Sequence, residues 1–388
     1  MANRSSLCEV NASALINNFN EFRQISQNPD GIFPVIKANA YGHGMALTAK
    51  ILKNAKGFCV NEIREAETLR RHGIKQPIIV LGYMLPEFAD DAVTLNTIPV
   101  IYSAGVVQAL DRAAQTRKTR IPVIIKVETG TNRQGLLPKQ ALKLAMQIKD
   151  MSGVGLFGLS THFADIEDTT DHSFAMSQLH RFMETAELFR QNRLDPGLLS
   201  AANSAAALLW PNTHLSITRL GIALYGMWPS KETFATAVQR HREAVNLQPV
   251  LTWKTRIIQV KQVEKGEYIG YGRTFRTTHR TRLAVIPVGY YDGYDRKASN
   301  RAHVLINGVR CQVRGRVCMN MFMVDITDVP SVKPGDEVVL LGKQGDEQIT
   351  AEDLALWFNT INYEVTTRIN ENIPRILKKT GGKDADFV

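Results

Sequence analysis

The 388-residue sequence holds only four cysteines, Cys8, Cys59, Cys311 and Cys318, and no two of them are spaced as C-x-x-C. That spacing excludes a zinc-type cluster and a dense disulfide framework, so the thiols read as free groups in a reducing compartment and no metal is expected. No apolar run approaches membrane-spanning length, and the N-terminus "MANRSSLCEV" lacks the apolar stretch of a secretory leader. The chain therefore reads as cytoplasmic, with no membrane partner. Low-complexity tracts and close repeats are also missing. Acidic residues are scarce in one region: from Lys254 to Arg316 there are 14 Lys/Arg against 4 Asp/Glu, an excess equal to the whole net charge of +10. A basic face can attract nucleic acid, but it also concentrates small anions. No nucleic-acid-binding motif accompanies it, so no nucleic-acid partner is expected.

What is present suits two domains. A hydrophobic fraction of 44% with 22% charged residues supplies a large core. Apolar strand-like runs fall at Phe33–Ile36, Gly57–Val60, Pro77–Leu81, Ile98–Tyr102, Pro122–Val127, Val154–Leu159, Leu198–Ala201 and Ser216–Leu220. Amphipathic helical patterns such as "NEIREAETLRRHG" and "SAGVVQALDRAAQ" separate most of them. Alternation of this kind predicts an α/β fold with an N-terminal (β/α)8 barrel. The rhythm stops near Met227. After a helical connector, "VLTWKTRIIQVKQV", "RLAVIPVGYY" and "AHVLINGVRCQVRGRV" cluster β-formers between turn residues, and a helix capped at Thr350 follows. The expected division is a barrel over residues 1–240 and a β-rich C-terminal domain over 241–388.

Barrel chemistry collects at the C-terminal ends of the strands. Here those ends carry Lys37, Lys126 with Glu128, His162, Asn203 with Ser204, and Arg219 before Gly221. A strand-end lysine is by default a solvated one. Desolvated among other cations it loses proton affinity and can form a Schiff base, either with a substrate carbonyl or with pyridoxal phosphate. Ser204 and the backbone amides around Gly221 and Ile222 offer a phosphate anchor, which favours the second alternative. Arg219 suits a pyridine nitrogen. A permanently charged partner keeps that nitrogen unprotonated, which fits proton exchange better than elimination.

Taken together, "VIKANAYGHG", "THFAD", "AANSAAAL", "TRLGIALYG", "YIGYGRTF", "IPVGYYDGYD", "GRVCMN" and "INYEV" resemble the alanine racemases, fold-type III pyridoxal phosphate enzymes, in order along nearly the whole chain. The resemblance implies two-base interconversion of L- and D-alanine, supplying D-alanine for bacterial peptidoglycan. It also implies a homodimer whose active sites are shared between chains. On the matching positions, Lys37 would carry the cofactor and serve as one base. Tyr271, from the partner chain, would be the other. Tyr41, Ser204, Gly221, Ile222 and Tyr363 would hold the phosphate, and Arg219, supported by His162, would face the pyridine nitrogen. Arg133 and the Met319 amide would hold the substrate carboxylate, Tyr290 would line the entrance, and Lys126 is a candidate carbamylated lysine.

Some positions depart from the commoner pattern of the family. Thr131 and Asn132 stand where Met and Gly are frequent, Asn320 where aspartate is usual, and Asn372 where many members have arginine. Other functions compatible with these motifs are a broad-specificity racemase acting on residues such as serine, and a non-catalytic pyridoxal phosphate carrier. The latter has no need of a β domain bearing "GYGRTF". Lys126 also admits a plain reading as a barrel lysine paired with Glu128.

Overall fold

The computed structural model describes residues 6–167, 171–240 and 245–378. The chain divides into two compact units, one formed by Leu15–Ala40 and Thr48–Gln248, the other by the residues up to Ala14, Tyr41–Leu47 and the residues from Pro249.

In the first unit, eight short strands among the described residues run parallel: Ile32–Pro34, Phe58–Val60, Ile78–Val80, Ile98–Ile101, Ile121–Lys126, Val154–Ser160, Leu198–Ser200 and Thr218–Leu220. Each lies within one residue or two of an expected apolar run. The second to the seventh pair in succession, and the first pairs with the last. A parallel bridge between Val35 and Cys59 joins the first strand to the second. On the other side, the Arg219 N–H donates to the Ala202 carbonyl at 3.1 Å, just past the seventh. The strands therefore curl into a ring, the predicted barrel. Their Ile/Val runs are buried on both faces, as parallel strands flanked by helices must be.

The intervening helices show why. In Ile63–Arg71, residues Ile63, Ala66 and Leu69 are buried at helical spacing while Arg64 and Glu67 face outward. In Pro138–Lys149, which starts at a proline suited to the first helical turn, Ala141, Leu144, Ala145 and Ile148 are buried. Each fully buried Leu or Ile contributes about 1.5–3 kcal/mol. The backbone that follows each strand is thereby held at one rim, where polar side chains gather.

The second unit is built on a ten-stranded sheet. Neighbours are antiparallel except where Leu7–Val10 lies parallel to Arg375–Leu377. The sequence reading assigns no strand to Leu7–Val10, whose partners, Leu251–Arg256 and Arg375–Leu377, are hundreds of residues away. Its core contains Trp253, Tyr294, Phe322 and Phe358, with the Tyr294 and Phe322 rings stacked at 4.7 Å. The helix Ala351–Phe358 begins at Thr350 as predicted. The Thr350 hydroxyl accepts from the Asp353 N–H at 3.0 Å, and the Asp353 carboxylate accepts from the Thr350 N–H at 2.9 Å. Cys311 is buried and Cys318 half-buried, and both thiols are free. Among the described residues there is no cluster of metal-binding side chains, and no helix is long and apolar enough to cross a membrane.

Candidate active site

At the rim of the barrel unit the chain makes a rare turn. Lys37 follows the first strand, and Ala38, Asn39, Ala40 and Tyr41 all take left-handed backbone angles, with φ of 51°, 52°, 55° and 52°. For non-glycine residues each such conformation costs about 1–2 kcal/mol, so surrounding contacts must hold it. Ala40 N–H donates to the Ile36 carbonyl at 2.8 Å, and Ala38 N–H donates to a Glu65 carboxylate oxygen at 2.6 Å. Lys37 is half-buried. Desolvation, followed by the positive charge of Arg133, pulls its amine below the usual lysine range. Glu65 opposes that trend and Arg219 adds to it. A lysine in this state has a larger neutral, nucleophilic fraction.

Arg219 lies in the strand Thr218–Leu220 and is buried. Its Nη1 donates to the Ser200 hydroxyl. Its Nη2 donates to the Thr161 carbonyl at 2.9 Å and the Ala201 carbonyl at 3.0 Å, and lies 3.4 Å from His162 Nδ1. Burial lowers Arg219 to about 10, still high enough to keep it charged at neutral pH. Burial, then Lys126 and Arg219, push His162 well below the ordinary imidazole value. A neutral His162 can accept at Nδ1 from Arg219 Nη2. Both Nη atoms are engaged, while Nε has no acceptor among the described residues and remains a donor for a ligand.

Lys126 ends the strand Ile121–Lys126 and is buried, with no ion pair among the described residues. Desolvation, then Arg219 and Arg133, hold its amine well below the usual range. The pairing with Glu128 is not formed. One Glu128 oxygen instead accepts the Gly130 N–H at 2.5 Å, and although burial raises this carboxyl, amides of Asn132, Gly130, Thr131 and Arg133 together hold it below its usual value. Glu128 thus folds the loop that presents Arg133. The Thr131 hydroxyl fastens the same loop by donating to the His162 carbonyl at 2.6 Å.

On the far side of the rim, Asn203 caps the short helix Ser204–Leu209 by accepting the Ala206 N–H at 2.9 Å. The Ser204 hydroxyl, buried, accepts from Gly221 N–H at 3.0 Å and Ala223 N–H at 3.4 Å. Ile222 opens a 3-10 turn, so its N–H has no acceptor within that turn. Serine hydroxyl and free amide together form an anion-binding corner.

In the β unit the structure brings two further groups together. The Tyr41 and Tyr363 rings lie 6.2 Å apart between centroids. Tyr290 and Met319 also meet: the Tyr290 N–H donates to the Cys318 carbonyl at 3.1 Å, and the Tyr291 N–H donates to the Met319 carbonyl at 3.0 Å. Only glycine fits at Gly289, since a Cβ there would sit 2.3 Å from the Met319 oxygen. The Met319 N–H has no acceptor among the described residues. Tyr271 is 69% exposed, between Gly270 and Gly272, each at φ of 71°. His43 is buried, with Nδ1 3.0 Å from the Tyr41 carbonyl.

Sequence reasoning missed Glu65, Ser200 and the Thr161 carbonyl. In sequence, Glu65 reads only as the third residue of a helical first turn. The other two act through a strand hydroxyl and a main-chain oxygen that carry no motif.

Residues 10–229 match the family model described as alanine racemase, N-terminal domain, and residues 250–377 match alanine racemase, C-terminal domain. The chain is 37% identical over 382 residues to the alanine racemase of Halothermothrix orenii, covering 98% of each chain. Its identity to that of Carboxydothermus hydrogenoformans is 38%, over 95% of this chain and 98% of the other. Among solved structures, the alanine racemase of Bacillus anthracis with bound L-Ala-P superposes with a TM-score of 0.90 at 32% identity, over 98% of this chain and 97% of the other. That of Clostridium difficile 630 gives 0.89 at 30%, over 97% of each.

Proposed function

The chain belongs to the alanine racemase family and interconverts L- and D-alanine, and we propose on that footing which of its residues do so. The observation that carries the reading is Lys37, lowered in proton affinity at a rim that also holds Arg219, Arg133 and the Ser204 corner. These groups fit pyridoxal phosphate: a nucleophilic lysine for its aldehyde, an arginine Nε for its ring nitrogen, and, beside Gly221, the Ser204 hydroxyl with the Ile222 amide for its phosphate. Tyr41 and Tyr363 complete the phosphate grip. When bound, the cofactor supplies an electron-withdrawing ring that acidifies the α-proton of alanine.

The protein groups then handle the proton. Arg133 and the Met319 N–H orient the substrate carboxylate, and Tyr290 lines the approach to it. Racemisation removes the α-proton from one face and returns one to the other, so two bases on opposite faces are required. Lys37 Nζ serves the D-isomer and the Tyr271 hydroxyl the L-isomer. Arg219, buried and charged, keeps the ring nitrogen unprotonated, and neutral His162 holds Arg219 in place. In this reading the barrel unit supplies Lys37, Arg133, Ser204 and Arg219, and the β unit supplies Tyr271, Tyr290 and Met319. The enzyme acts in the cytoplasm as a homodimer, and its D-alanine feeds peptidoglycan synthesis.

The test is alanine racemisation in heavy water, with and without added pyridoxal phosphate. The parent enzyme should exchange the α-proton of both isomers and depend on the cofactor. In Tyr271→Phe, exchange from D-alanine should survive better than exchange from L-alanine. Equal loss from both isomers, with cofactor still bound, removes the two-base assignment.

A further inference from the structure

One carboxylate at the rim is used by no step described above. Glu65, half-buried in the helix Ile63–Arg71, spans two segments. Its Oε1 accepts the Ala38 N–H at 2.6 Å. Its Oε2 accepts the Asn61 N–H at 2.6 Å and the Glu62 N–H at 3.3 Å. The last two contacts are those of an ordinary helix start, in which a residue in the first turn satisfies amides that have no helical partner. The first is not. It reaches across to another strand end and seizes the amide immediately after Lys37, at the first of four consecutive left-handed residues.

A left-handed run without glycine does not persist on its own preferences. Here the amide that enters the run is fixed by an anion, a stronger restraint than a neutral acceptor. The direction of the chain as it leaves Lys37, and hence the path of the lysine side chain, depends on that restraint. We infer that Glu65 is a positioning residue for Lys37: its carboxylate clamps the left-handed turn that aims the lysine, and its charge offsets part of the surrounding positive field. The proposal rests on the reading of Lys37 as the cofactor-bearing lysine. The charged and titratable groups acting on Lys37 are Arg133, Glu65, Arg219 and Cys59, with Lys126 and His162 coupled to it at the same rim. Among those acting on Lys37, Glu65 is the carboxylate, so its removal acts in one direction. It destabilises the protonated lysine nitrogen.

The experiment uses holoenzyme and three variants. Glu65→Gln keeps the size but removes the charge and one acceptor oxygen. Glu65→Ala removes both contacts. Glu65→Asp keeps the charge but is too short to bridge Ala38 and Asn61. The readouts are visible circular dichroism of the bound chromophore, which reports its orientation, and the pH titration of its absorbance, which reports protonation at the lysine nitrogen. Glu65→Gln should move that midpoint down by about half a pH unit or more and change the dichroism. Glu65→Asp should restore the midpoint but not the dichroism. If Glu65→Gln and Glu65→Ala leave both signals as in the parent and lower only the melting temperature, Glu65 is a helix cap and the inference fails. Borohydride reduction and peptide mapping of the parent separate this from the premise. A label on a lysine other than Lys37 overturns the Lys37 reading itself. A label on Lys37 with insensitive Glu65 variants overturns only the positioning role.

Discussion

At the scale of single residues, the site is a problem of too much positive charge. Lys37, Lys126, Arg133 and Arg219 act on one another at one rim, and Lys126 is buried with no ion pair among the described residues. Burial of an unpaired charge favours neutralisation, and desolvation, with Arg219 and Arg133 nearby, shifts Lys126 toward its neutral amine. A neutral amine can add carbon dioxide, forming a C–N bond and releasing one proton to solvent, and so become a carbamate anion able to pair with Arg133, the carbamylated state expected for this residue. A sample equilibrated with carbon-13 bicarbonate should show a carbamate resonance that disappears in Lys126→Ala, with a rise in KM for alanine. No such resonance, together with an undiminished Lys126→Ala enzyme, would refute this. The residues in this cluster were legible in sequence because each sits where an apolar run ends. Their partners were not. Glu128 looks like a counter-ion for Lys126, yet its oxygens are taken by backbone amides of the loop it closes. Only three-dimensional placement distinguishes those two fates.

Elements explain how that loop is held. The barrel strands were readable as uninterrupted Ile/Val runs, because burial on both faces removes the need for alternation. Leu7–Val10 was not, since a four-residue strand derives its identity from partners distant in sequence. The loop after Ile121–Lys126 is a second such case. Thr131 and Asn132 stand out in sequence as departures from a common pattern, without an evident purpose. In the structure Thr131 ties the loop to the His162 carbonyl, and Asn132 occupies a left-handed position at φ of 52°, which asparagine tolerates better than most residues. Thr131→Val keeps the shape and deletes the hydrogen bond. A loss of about 1 kcal/mol in holding Arg133 should raise KM for alanine about fivefold, with kcat changed less and the melting temperature nearly unchanged. A variant whose kcat falls while KM stays fixed would mean that the loop serves something other than substrate capture.

At the scale of the whole molecule, the residues proposed for catalysis are divided between the two compact units. The barrel unit holds Lys37, Arg219, Arg133 and Ser204, while the β unit holds Tyr271, Met319 and Tyr290. Tyr271 is largely exposed within its own chain, where a partner chain can receive it. In a homodimer with shared sites, each site takes Lys37 from one chain and Tyr271 from the other. Lys37→Ala and Tyr271→Ala proteins are each inactive as homodimers in this arrangement. A heterodimer of the two has one site carrying both lesions and one carrying neither. Random exchange of equal amounts makes about half the molecules heterodimers, each with one intact site, so about a quarter of the parent activity should return. If both bases came from the same chain, every site in the mixture would contain a lesion and no activity would return. Subunit exchange, checked by mass-labelled protomers, therefore decides between shared and self-contained sites from a single activity measurement.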